Sequence, residues 1–549
     1  MHDSGNFGQI IHEAVKLVPE KPAVLADGVS VSYRELDDRM NRAGQLFRRY
    51  GIRKGDRVAL LFPNDYRFIE ICFGLMRIGA VPLPLNMKLN ADTLSYIVRD
   101  SGASMLVSHA SLLDKARQID RSGLTAPVVV VGSGEADPGQ PALSGSSGYS
   151  GSPNSAGAGD GSTGGGRFNG TDMLKYEELA ASMPAELETE PVQPDDLCFL
   201  LYTSGSTGKP KGCMLTHGGQ WWNAETNRRI MLIGREDRSL VSVPLYHKNA
   251  MINAVKPCLL AGASIVILPG FDPENVLAAV EKYQVTYTTG VPAMYKMLLV
   301  HYKKNAGYDM SSLRFIVCGS SEVPAELTKE LQRTFGVDIL EAYGLTEGGP
   351  QVLVSPRWGI RKQGSAGLPL PGSRVRVVSL DGEERDLPNG EVGELWVKNP
   401  GVALGYWNLP EVTKQRFTPD GWLKTGDLVR FDEDGYGYIV GRKDDMINIG
   451  GENAYPKEIE NILQQHEEIE DVCVVAMRHE VKGWAPAAFI VKSRGSALTE
   501  QAVQEFFLQR GPAYAHPRKV FFLERMPLAG TGKVDKAALI NMLEQKGLR

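Results

Sequence analysis

The stretch "LLYTSGSTGKPKGCMLTHGG" (Leu200–Gly219) follows an apolar run and concentrates glycines, hydroxyl side chains and lysines. Glycines let backbone N–H groups converge on an anion, hydroxyls donate further hydrogen bonds, and lysines neutralise charge. The stretch therefore predicts a flexible phosphate-binding loop after a strand. It does not match the P-loop pattern, because Gly205 and Gly208 are too close together and Pro210 stands where that pattern has Ser or Thr. A P-loop NTPase or kinase is thus disfavoured.

Length and composition limit the class of protein. A chain of 549 residues is too long for one core, which predicts at least two domains. A net charge of −5 argues against a surface built for nucleic acid or anionic lipid. The six cysteines are scattered without a C-x-x-C pair, as in a reduced, cytoplasmic protein without disulfides. We found no signal-peptide pattern and no apolar run long enough to span a membrane.

Alternating strands and helices dominate the first part of the chain, as in "VSVSY", "RELDDRMNRAGQLFRRYGI" and "RVALLF". This alternation predicts an α/β fold with mainly parallel sheets. After about Gly364 the pattern changes to short strands and turns, which indicates a small β-rich subdomain. From Arg442 to Arg549 the pattern is that of a compact α+β unit. We therefore predict an N-terminal domain at residues 1–441 and a small, mobile C-terminal domain at 442–549.

Residues 133–170 are dominated by Gly, Ser, Ala and Pro. Such a segment cannot bury enough apolar surface to order itself, so the composition predicts a disordered insertion. A regulatory loop is the alternative interpretation.

Three further stretches add to the first: "EAYGLTEGG" (341–349), "KTGDLVRFDEDGYGYIVGRKDDMINIGGENAYPKEIE" (424–460) and "PLAGTGKVDK" (527–536). Together and in this order they resemble the adenylate-forming superfamily of acyl-CoA synthetases, luciferases and peptide-synthetase adenylation domains. The resemblance covers nearly the whole chain apart from the insertion, and it is strongest to acyl-CoA synthetases.

The resemblance implies that the chain binds ATP. The residues that it assigns to the β- and γ-phosphates are Thr203, Ser204, Gly205, Ser206, Thr207, Gly208 and Lys211. It places the adenine against the ring of Tyr343, with Gly319 and Ser320 along the edge. Asp427 would accept the ribose hydroxyls, and Arg442 would contact the ribose or a phosphate.

The resemblance also implies the chemistry. Thr346 would contact the α-phosphate, Glu347 would help to hold Mg²⁺, and Lys533 would stabilise the charge that develops when a carboxylate attacks the α-phosphate. The attacking carboxylate needs no general base because it is already ionised at neutral pH. Asp444 matches the hinge of the C-terminal domain, and Gly450 and Gly451 match the loop that lines the pantetheine tunnel for coenzyme A.

The acid is less well defined by the sequence. The resemblance places His247 at the gate of the acyl pocket, with Asn249 and Asn253 on one wall and Gly344 and Gly349 on the other. Two asparagines are costly to bury without partners, so they hint at a polar group on the acid. Fatty, aromatic and polar acids all remain open.

We therefore predict an AMP-forming acid–CoA ligase that uses ATP, Mg²⁺ and coenzyme A. The alternatives are an enzyme that adenylates amino acids or other acids for a different acceptor, a luciferase-like oxygenase, and a non-catalytic nucleotide-binding homologue. Both a monomer and a homodimer are compatible with the sequence.

Overall fold

The computed structural model describes residues 5–132, 167–168, 171–203, 209–305, 307–319, 323–449, 452–528 and 534–549. The chain forms two compact units. Unit 1 comprises Met1–Gly364, Leu370–Ser373 and Asn399–Phe417, and unit 2 comprises Ser365–Pro369, Arg374–Lys398 and Thr418–Arg549. Unit 2 thus joins the β-rich region to the C-terminal region, while the domain boundary at Arg442 stays a prediction from the sequence.

The strands of unit 1, in chain order, are β1 (Pro22–Ala26), β2 (Val29–Ser32), β3 (Arg57–Leu61), β4 (Val81–Pro84), β5 (Met105–His109), β6 (Val128–Val131), β7 (Arg167–Phe168), β8 (Thr171–Lys175), β9 (Leu197–Thr203), β10 (Lys211–Thr216), β11 (Arg238–Val241), β12 (Ser264–Ile267), β13 (Tyr287–Gly290), β14 (Phe315–Gly319), β15 (Asp338–Tyr343) and β16 (Leu353–Val354). Those of unit 2 are β17 (Leu368–Pro369), β18 (Arg374–Val378), β19 (Gly393–Lys398), β20 (Leu423–Phe431), β21 (Gly437–Arg442), β22 (Ile447–Ile449), β23 (Glu452–Ala454), β24 (Ile469–His479), β25 (Gly483–Lys492) and β26 (Lys519–Leu523).

The helices of unit 1 are α1 (His12–Leu17), α2 (Tyr33–Arg49), α3 (Arg67–Arg77), α4 (Ala91–Ser101), α5 (Leu113–Gln118), α6 (Tyr176–Ala181), α7 (His217–Ile230), α8 (Lys248–Ala250), α9 (Lys256–Ala261), α10 (Pro273–Tyr283), α11 (Pro292–Lys304), α12 (Ala325–Phe335) and α13 (Pro410–Arg416). Those of unit 2 are α14 (Pro456–Leu463), α15 (Glu500–Leu508) and α16 (Lys536–Gln545).

Two mainly parallel sheets form unit 1. In the first, strands of unit 1 follow the order β16-β15-β14-β13-β11-β12-β1-β2, and only the outer pairs β15–β16 and β1–β2 are antiparallel. The second has the order β4-β3-β5-β6-β8-β7 and is parallel except for β7–β8. The pair β9–β10 forms a separate antiparallel hairpin.

Antiparallel strands dominate unit 2. Strands β18-β19-β20-β21 form one antiparallel sheet. A second sheet has the order β23-β22-β25-β24, and β26 joins it parallel to β25. The α/β fold class is therefore confirmed: a large N-terminal region of parallel sheets precedes a smaller C-terminal region of antiparallel strands and helices.

Local sequence explains where these elements begin. The Ser32 side chain accepts a hydrogen bond from the Glu35 backbone, and the Glu35 side chain accepts one from the Ser32 backbone, which caps α2. Helix α4 ends at Gly102 in the left-handed region (φ 58°), a conformation that costs little without a Cβ atom. The helix α3 is buried along its whole length and packs against α2.

The largest buried cluster of unit 1 joins helices to both large sheets, for example through Phe47 on α2, Phe73 on α3, Val58 on β3 and Ile265 on β12. All six cysteines are buried and unpaired, as predicted. Among the described residues, no helix is long and apolar enough to cross a membrane.

The predicted insertion at 133–170 lies outside the described residues except for Arg167 and Phe168. These two form β7, which pairs with the start of β8. Strand β8 in turn pairs parallel to β6, with Val128 opposite Met173. Neighbouring parallel strands such as β6 and β8 cannot be joined by a tight turn.

Candidate active site

The phosphate-loop stretch forms the end of a hairpin in unit 1. Strands β9 and β10 pair antiparallel, and the last residue of β9, Thr203, lies opposite the first residue of β10, Lys211. Ser204, Gly205, Ser206, Thr207 and Gly208 lie outside the described residues. The hairpin brings both ends of the predicted loop together, so its Thr and Lys are neighbours.

A short extended segment at 403–407 connects this hairpin to Glu347. The Trp407 N–H donates to the carbonyl of Gly212 (2.7 Å), and the Leu404 N–H donates to that of Met214 (3.0 Å). At its other end, the Ala403 N–H donates to the Glu347 carbonyl (2.9 Å). Backbone hydrogen bonds therefore fix the position of Glu347 relative to β10.

The Glu347 carboxylate is held by an aromatic hydroxyl. Tyr406 Oη donates to Glu347 Oε1 at 2.8 Å, and Lys211 Nζ lies 5.6 Å from the centroid of the Tyr406 ring. Burial and the charge of Glu347 raise the pKa of Tyr406, so its hydroxyl remains a donor. The structure thus places Lys211 against the ring of Tyr406 and Glu347 at its hydroxyl group.

A carboxylate is a suitable ligand for a hard cation such as Mg²⁺. Within the described part of the chain, no three or more His, Cys, Asp or Glu side chains group together as a metal site would require. Mg²⁺ is usually bound through one or two carboxylates together with water and substrate phosphates.

Gly319 and Tyr343 stand at the carboxyl ends of neighbouring parallel strands. Gly319 ends β14, lies opposite Ala342 in the register, and could not carry a Cβ atom, which would lie 2.4 Å from the Ala342 carbonyl oxygen. Tyr343 ends β15 and is half-buried. Ligands of open α/β sheets bind at this end of the strands. Ser320 lies outside the described residues.

Thr346 and Glu347 follow this edge in a short 3₁₀ helix, Thr346–Gly348. Thr346 is buried and Glu347 is half-buried. Tyr343, Thr346 and Glu347 therefore lie close together at the carboxyl end of β15, with Gly319 on the neighbouring strand β14.

The two pocket glycines have close backbone neighbours. A Cβ atom on Gly344 would lie 2.2 Å from the Pro350 carbonyl oxygen, and Lys248 Nζ donates to the Gly344 carbonyl at 2.6 Å. Gly349 adopts φ +104°, and a Cβ there would lie 2.8 Å from the carbonyl carbon of Gly401. Close contacts with neighbouring backbone atoms are enough to explain why glycine stands at both positions. The contacts therefore assign neither glycine a role in binding the substrate.

His247, Asn249 and Asn253 lie along one helical segment. His247 precedes α8, and its Nδ1 accepts the Asn249 N–H at 3.3 Å. Asn249 Oδ1 accepts from Thr289 on β13 (2.6 Å) and from Asn253 Nδ2 (3.4 Å). Asn253 Oδ1 is buried and accepts no hydrogen bond from any described residue. The structure thus brings the two asparagines together beside β13.

In unit 2, two predicted nucleotide residues pair with each other. Asp427 on β20 lies opposite Arg442 on β21, and the Arg442 guanidinium is 2.9 Å from Asp427 Oδ1. Asp427 is only 6% exposed, so this pairing offsets the cost of burying its charge.

The predicted hinge residue Asp444 is exposed and lies in a 3₁₀ helix, Lys443–Asp445. Its neighbours are held by ion pairs within unit 2: Lys443 with Glu394 at 3.1 Å, and Asp445 with Lys536 at 2.6 Å. Gly450, Gly451 and Lys533 lie outside the described residues, so their predicted roles rest on the sequence.

Sequence reasoning missed Tyr406, whose hydroxyl holds Glu347, and Glu394, whose carboxylate binds Lys443 and the N–H of Gly426. Neither belongs to the four stretches that carry the resemblance. Their roles depend on contacts across 59 and 49 residues of chain, which local spacing cannot reveal.

Comparison with known proteins identifies the family. Residues 11–407 match the family described as AMP-binding enzyme, and residues 458–533 match the AMP-binding enzyme C-terminal domain. The chain belongs to the AMP-binding enzyme family. The predicted resemblance to adenylate-forming enzymes is thereby confirmed.

Relatives of this AMP-binding enzyme are named as CoA synthases or CoA ligases. The feruloyl-CoA synthase of an Amycolatopsis species is 35% identical over 95% of this chain and 96% of its own length. The indoleacetate–CoA ligase of Aromatoleum aromaticum is 32% identical over 96% of each chain. The ATP-bound structure of MatB from Rhodopseudomonas palustris superposes with a TM-score of 0.85, at 28% identity, over 98% of this chain and 99% of that one.

Proposed function

We propose that this AMP-binding enzyme is an ATP-dependent carboxylic acid–CoA ligase. A carboxylate attacks the α-phosphate of ATP to give an acyl-adenylate and pyrophosphate, and the thiol of coenzyme A then displaces AMP to give the thioester. Family membership and the shared naming of the relatives as CoA ligases or synthases support this reaction.

The observation that carries the proposal is the cluster of Lys211, Tyr406 and Glu347 at the end of the β9–β10 hairpin. A cation and a carboxylate that contact the same tyrosine suit a polyphosphate and its bound metal. Glu347 would hold Mg²⁺ together with the phosphates, and the ion would neutralise phosphate charge when bound. Thr346, in the same 3₁₀ helix, would donate to the α-phosphate.

The remaining nucleotide contacts follow the same reasoning. Thr203 and the loop Ser204–Gly208 would bind the β- and γ-phosphates, while Tyr343, Gly319 and Ser320 would hold adenine. The Asp427 carboxylate, which is paired with Arg442, would bind the ribose hydroxyls either alongside Arg442 or after Arg442 has moved away. Lys533 would donate to the α-phosphate and the attacking oxygen, stabilising charge where it develops.

The second half-reaction would use a different part of the C-terminal region, the loop that contains Gly450 and Gly451, in place of Lys533. Gly450 and Gly451 would leave room for the narrow pantetheine chain, because neither carries a side chain. Asp444 would act as the hinge between the two half-reactions, as residues outside the chemistry often do.

We propose an aromatic acid as substrate, with His247 at the entrance and Asn249, Asn253, Gly344 and Gly349 along the pocket. The relatives named for ferulate and indoleacetate support an aromatic ring. We further propose a cytoplasmic enzyme, in keeping with six unpaired buried thiols. Monomeric and homodimeric forms both suit this function.

A panel of carboxylic acids tests the proposal. The purified protein is incubated with each acid, ATP, Mg²⁺ and coenzyme A, and AMP, pyrophosphate and the acyl thioester are quantified. At least one aromatic acid should yield all three products in equal amounts. ADP with an acyl phosphate would contradict the proposal, as would AMP formation without any thioester.

The variant Lys533→Ala tests the proposed role of Lys533 in the first half-reaction. Loss of one donor that acts on developing charge typically slows a reaction about 10²- to 10³-fold. The variant should therefore lose acid-dependent pyrophosphate exchange yet still convert a supplied acyl-adenylate to the thioester. If the variant slowed both half-reactions equally, the proposed role of Lys533 in adenylation alone would be wrong.

A further inference from the structure

Helix α4 carries a carboxylate at the end where a helix disfavours one. Asp100 is the last residue but one of α4, Ala91–Ser101. A negative charge in the last turn of a helix opposes the partial negative charge of the carbonyl groups that end there. Asp100 is also half-buried, which adds a cost of desolvation. Contacts outside α4 are therefore needed to offset these costs.

The side chain of Asp100 binds the strand that leads into the predicted phosphate loop. Tyr202 Oη donates to Asp100 Oδ2 at 2.5 Å, across 102 residues of chain. Tyr202 is on β9 and directly precedes Thr203, the last residue of that strand. Burial and the hydrogen bond to Asp100 raise the pKa of Tyr202, so its hydroxyl stays a donor. The hydrogen bond thus fixes β9 relative to α4 at the point where the loop begins.

Helix α4 also contacts the residue that follows the loop. Lys209 Nζ lies 5.6 Å from the centroid of the Tyr96 ring. Tyr96 and Asp100 are four residues apart on α4, so their side chains lie on the same face of the helix. One face of α4 therefore contacts the chain on both sides of residues 204–208.

The backbone of Asp100 holds a third segment, the one that follows Tyr406. Trp407 Nε1 donates to the Asp100 carbonyl at 3.1 Å, and Asn408 Nδ2 donates to it at 2.9 Å. The preceding residue, Tyr406, donates its hydroxyl to Glu347. Asp100 therefore connects the end of β9 with the chain that positions Glu347, although it lies outside the four stretches that carry the resemblance.

We propose that Asp100 is a positioning residue for the triphosphate of ATP: through Tyr202 it holds the start of the phosphate loop in place to bind the β- and γ-phosphates. The inference rests on the proposed ligase function and adds to it a residue outside the predicted site. Asp100 acts through the tyrosine, because a direct contact between an ionised carboxylate and a phosphate would be repulsive.

This role predicts a specific pattern of nucleotide affinities. The loop would bind only the β- and γ-phosphates, which AMP lacks. Misplacing the start of the loop should therefore weaken the binding of ATP and leave the binding of AMP unchanged. A general loss of structure would instead weaken the binding of both nucleotides alike.

The test measures the Kd for ATP and for AMP by titration calorimetry on the whole chain, with Mg²⁺ present. Tyr202→Phe, which removes only the hydroxyl, should raise the Kd for ATP about tenfold, as for loss of a hydrogen bond to a charged group, and change that for AMP less than about twofold. Asp100→Ala should give the same pattern. Asp92→Ala, at an exposed aspartate near the start of α4, is the control and should bind both nucleotides as the wild type does.

A double variant tests whether the two side chains act as one pair. Because Tyr202 and Asp100 share one hydrogen bond, the double variant should bind ATP no more than about twofold more weakly than Asp100→Ala alone. Effects that multiply in the double variant would contradict the proposed action of Asp100 through Tyr202.

The outcomes separate the inference from the function on which it rests. If the wild type does not bind ATP, the ligase proposal itself fails. If the wild type binds ATP and both single variants keep its affinity, the ligase proposal stands and the assignment of Asp100 is wrong. The assignment is also wrong if the variants weaken the binding of AMP as much as that of ATP.

Discussion

The carboxylate of Glu70, on α3, is buried in unit 1 and lacks a full set of partners. Tyr176 Oη donates to its Oε1 at 2.9 Å, and Arg39 lies 3.6 Å from its Oε2, which accepts no hydrogen bond from the part of the chain that the structure describes. Burial raises the pKa of Glu70 from 4.5 to about 7. Between these values the folded protein keeps the proton that the unfolded chain has lost, so the stabilisation present below pH 4.5 is lost as pH rises to 7.

Glu70→Gln should remove this pH dependence. The fold loses up to about 3 kcal/mol from Glu70 across this range, since each pKa unit is worth about 1.4 kcal/mol. Thermal unfolding at pH 5 and pH 8 should therefore show a smaller drop in Tm for the variant than for the wild type. Glu178→Gln, at an exposed glutamate, is the control and should match the wild type. An identical drop in Tm for Glu70→Gln would contradict the assignment.

Tyr406 acts on the proposed metal site through Glu347. Removing its hydroxyl in Tyr406→Phe should leave the ring beside Lys211 but free the Glu347 carboxylate. Groups that orient a metal ligand typically contribute about 10- to 100-fold in metal affinity. Acid-dependent pyrophosphate exchange should then need correspondingly more Mg²⁺, with a near-normal rate at saturation.

Tyr283→Phe provides the matched control, because its hydroxyl lies 3.5 Å from the Ala26 carbonyl, far along the chain from Glu347. Its Mg²⁺ requirement should equal that of the wild type. An unchanged Mg²⁺ requirement in Tyr406→Phe would show that the hydroxyl has no part in placing Glu347.

At the scale of elements, most strands and helices could be predicted from the sequence. The runs "VSVSY" and "RVALLF" form strands β2 and β3, and the pattern after Ser32 forms α2. Periodicity decides these elements because each buries one face or both. The position of Tyr406 beside Glu347 could not be predicted, because it depends on packing between distant segments.

The register of β6 and β8 constrains any deletion of the segment between them. Replacing 133–166 by a two-residue turn should prevent β8 from pairing parallel to β6 and lower Tm by several degrees. Replacing it by a twelve-residue Gly/Ser linker should keep both Tm and ligase activity, since a crossover of about a dozen residues suffices. The paired deletions share the same missing residues, so they separate linker length from segment function. If the long-linker variant folded but lost ligase activity, the result would show that the replaced segment contributes to catalysis.

At the scale of the whole molecule, the proposed reaction needs two arrangements around Asp444. Proline fixes φ and removes the N–H, so Asp444→Pro should restrict the hinge, whereas Asp444→Ala should leave it free. The proline variant should change the ratio of pyrophosphate exchange to thioester formation by about tenfold or more, as expected when a conformational step is impaired. The alanine variant should not. A ratio in Asp444→Pro that matches the wild-type ratio would contradict the assignment of Asp444 as the hinge.

The family and the fold class could be predicted from the order of motifs, since four stretches spread over the chain carry them. The site could be predicted only in part. Glu347 and Lys211 belong to motifs, but the pairing of Asp427 with Arg442 depends on the register of two strands. Residue type gives the chemistry of each group, whereas the fold decides which groups meet.

The complete burial of the six thiols has a practical side for enzymology. Burial raises the pKa of each cysteine, and a thiolate is the form that reacts with disulfide reagents. The native protein should therefore give no colour with a chromogenic thiol reagent, and its cysteines should react only after denaturation. Coenzyme A would then be the only thiol titrated in a reaction mixture, so its consumption can be followed by colour at any enzyme concentration.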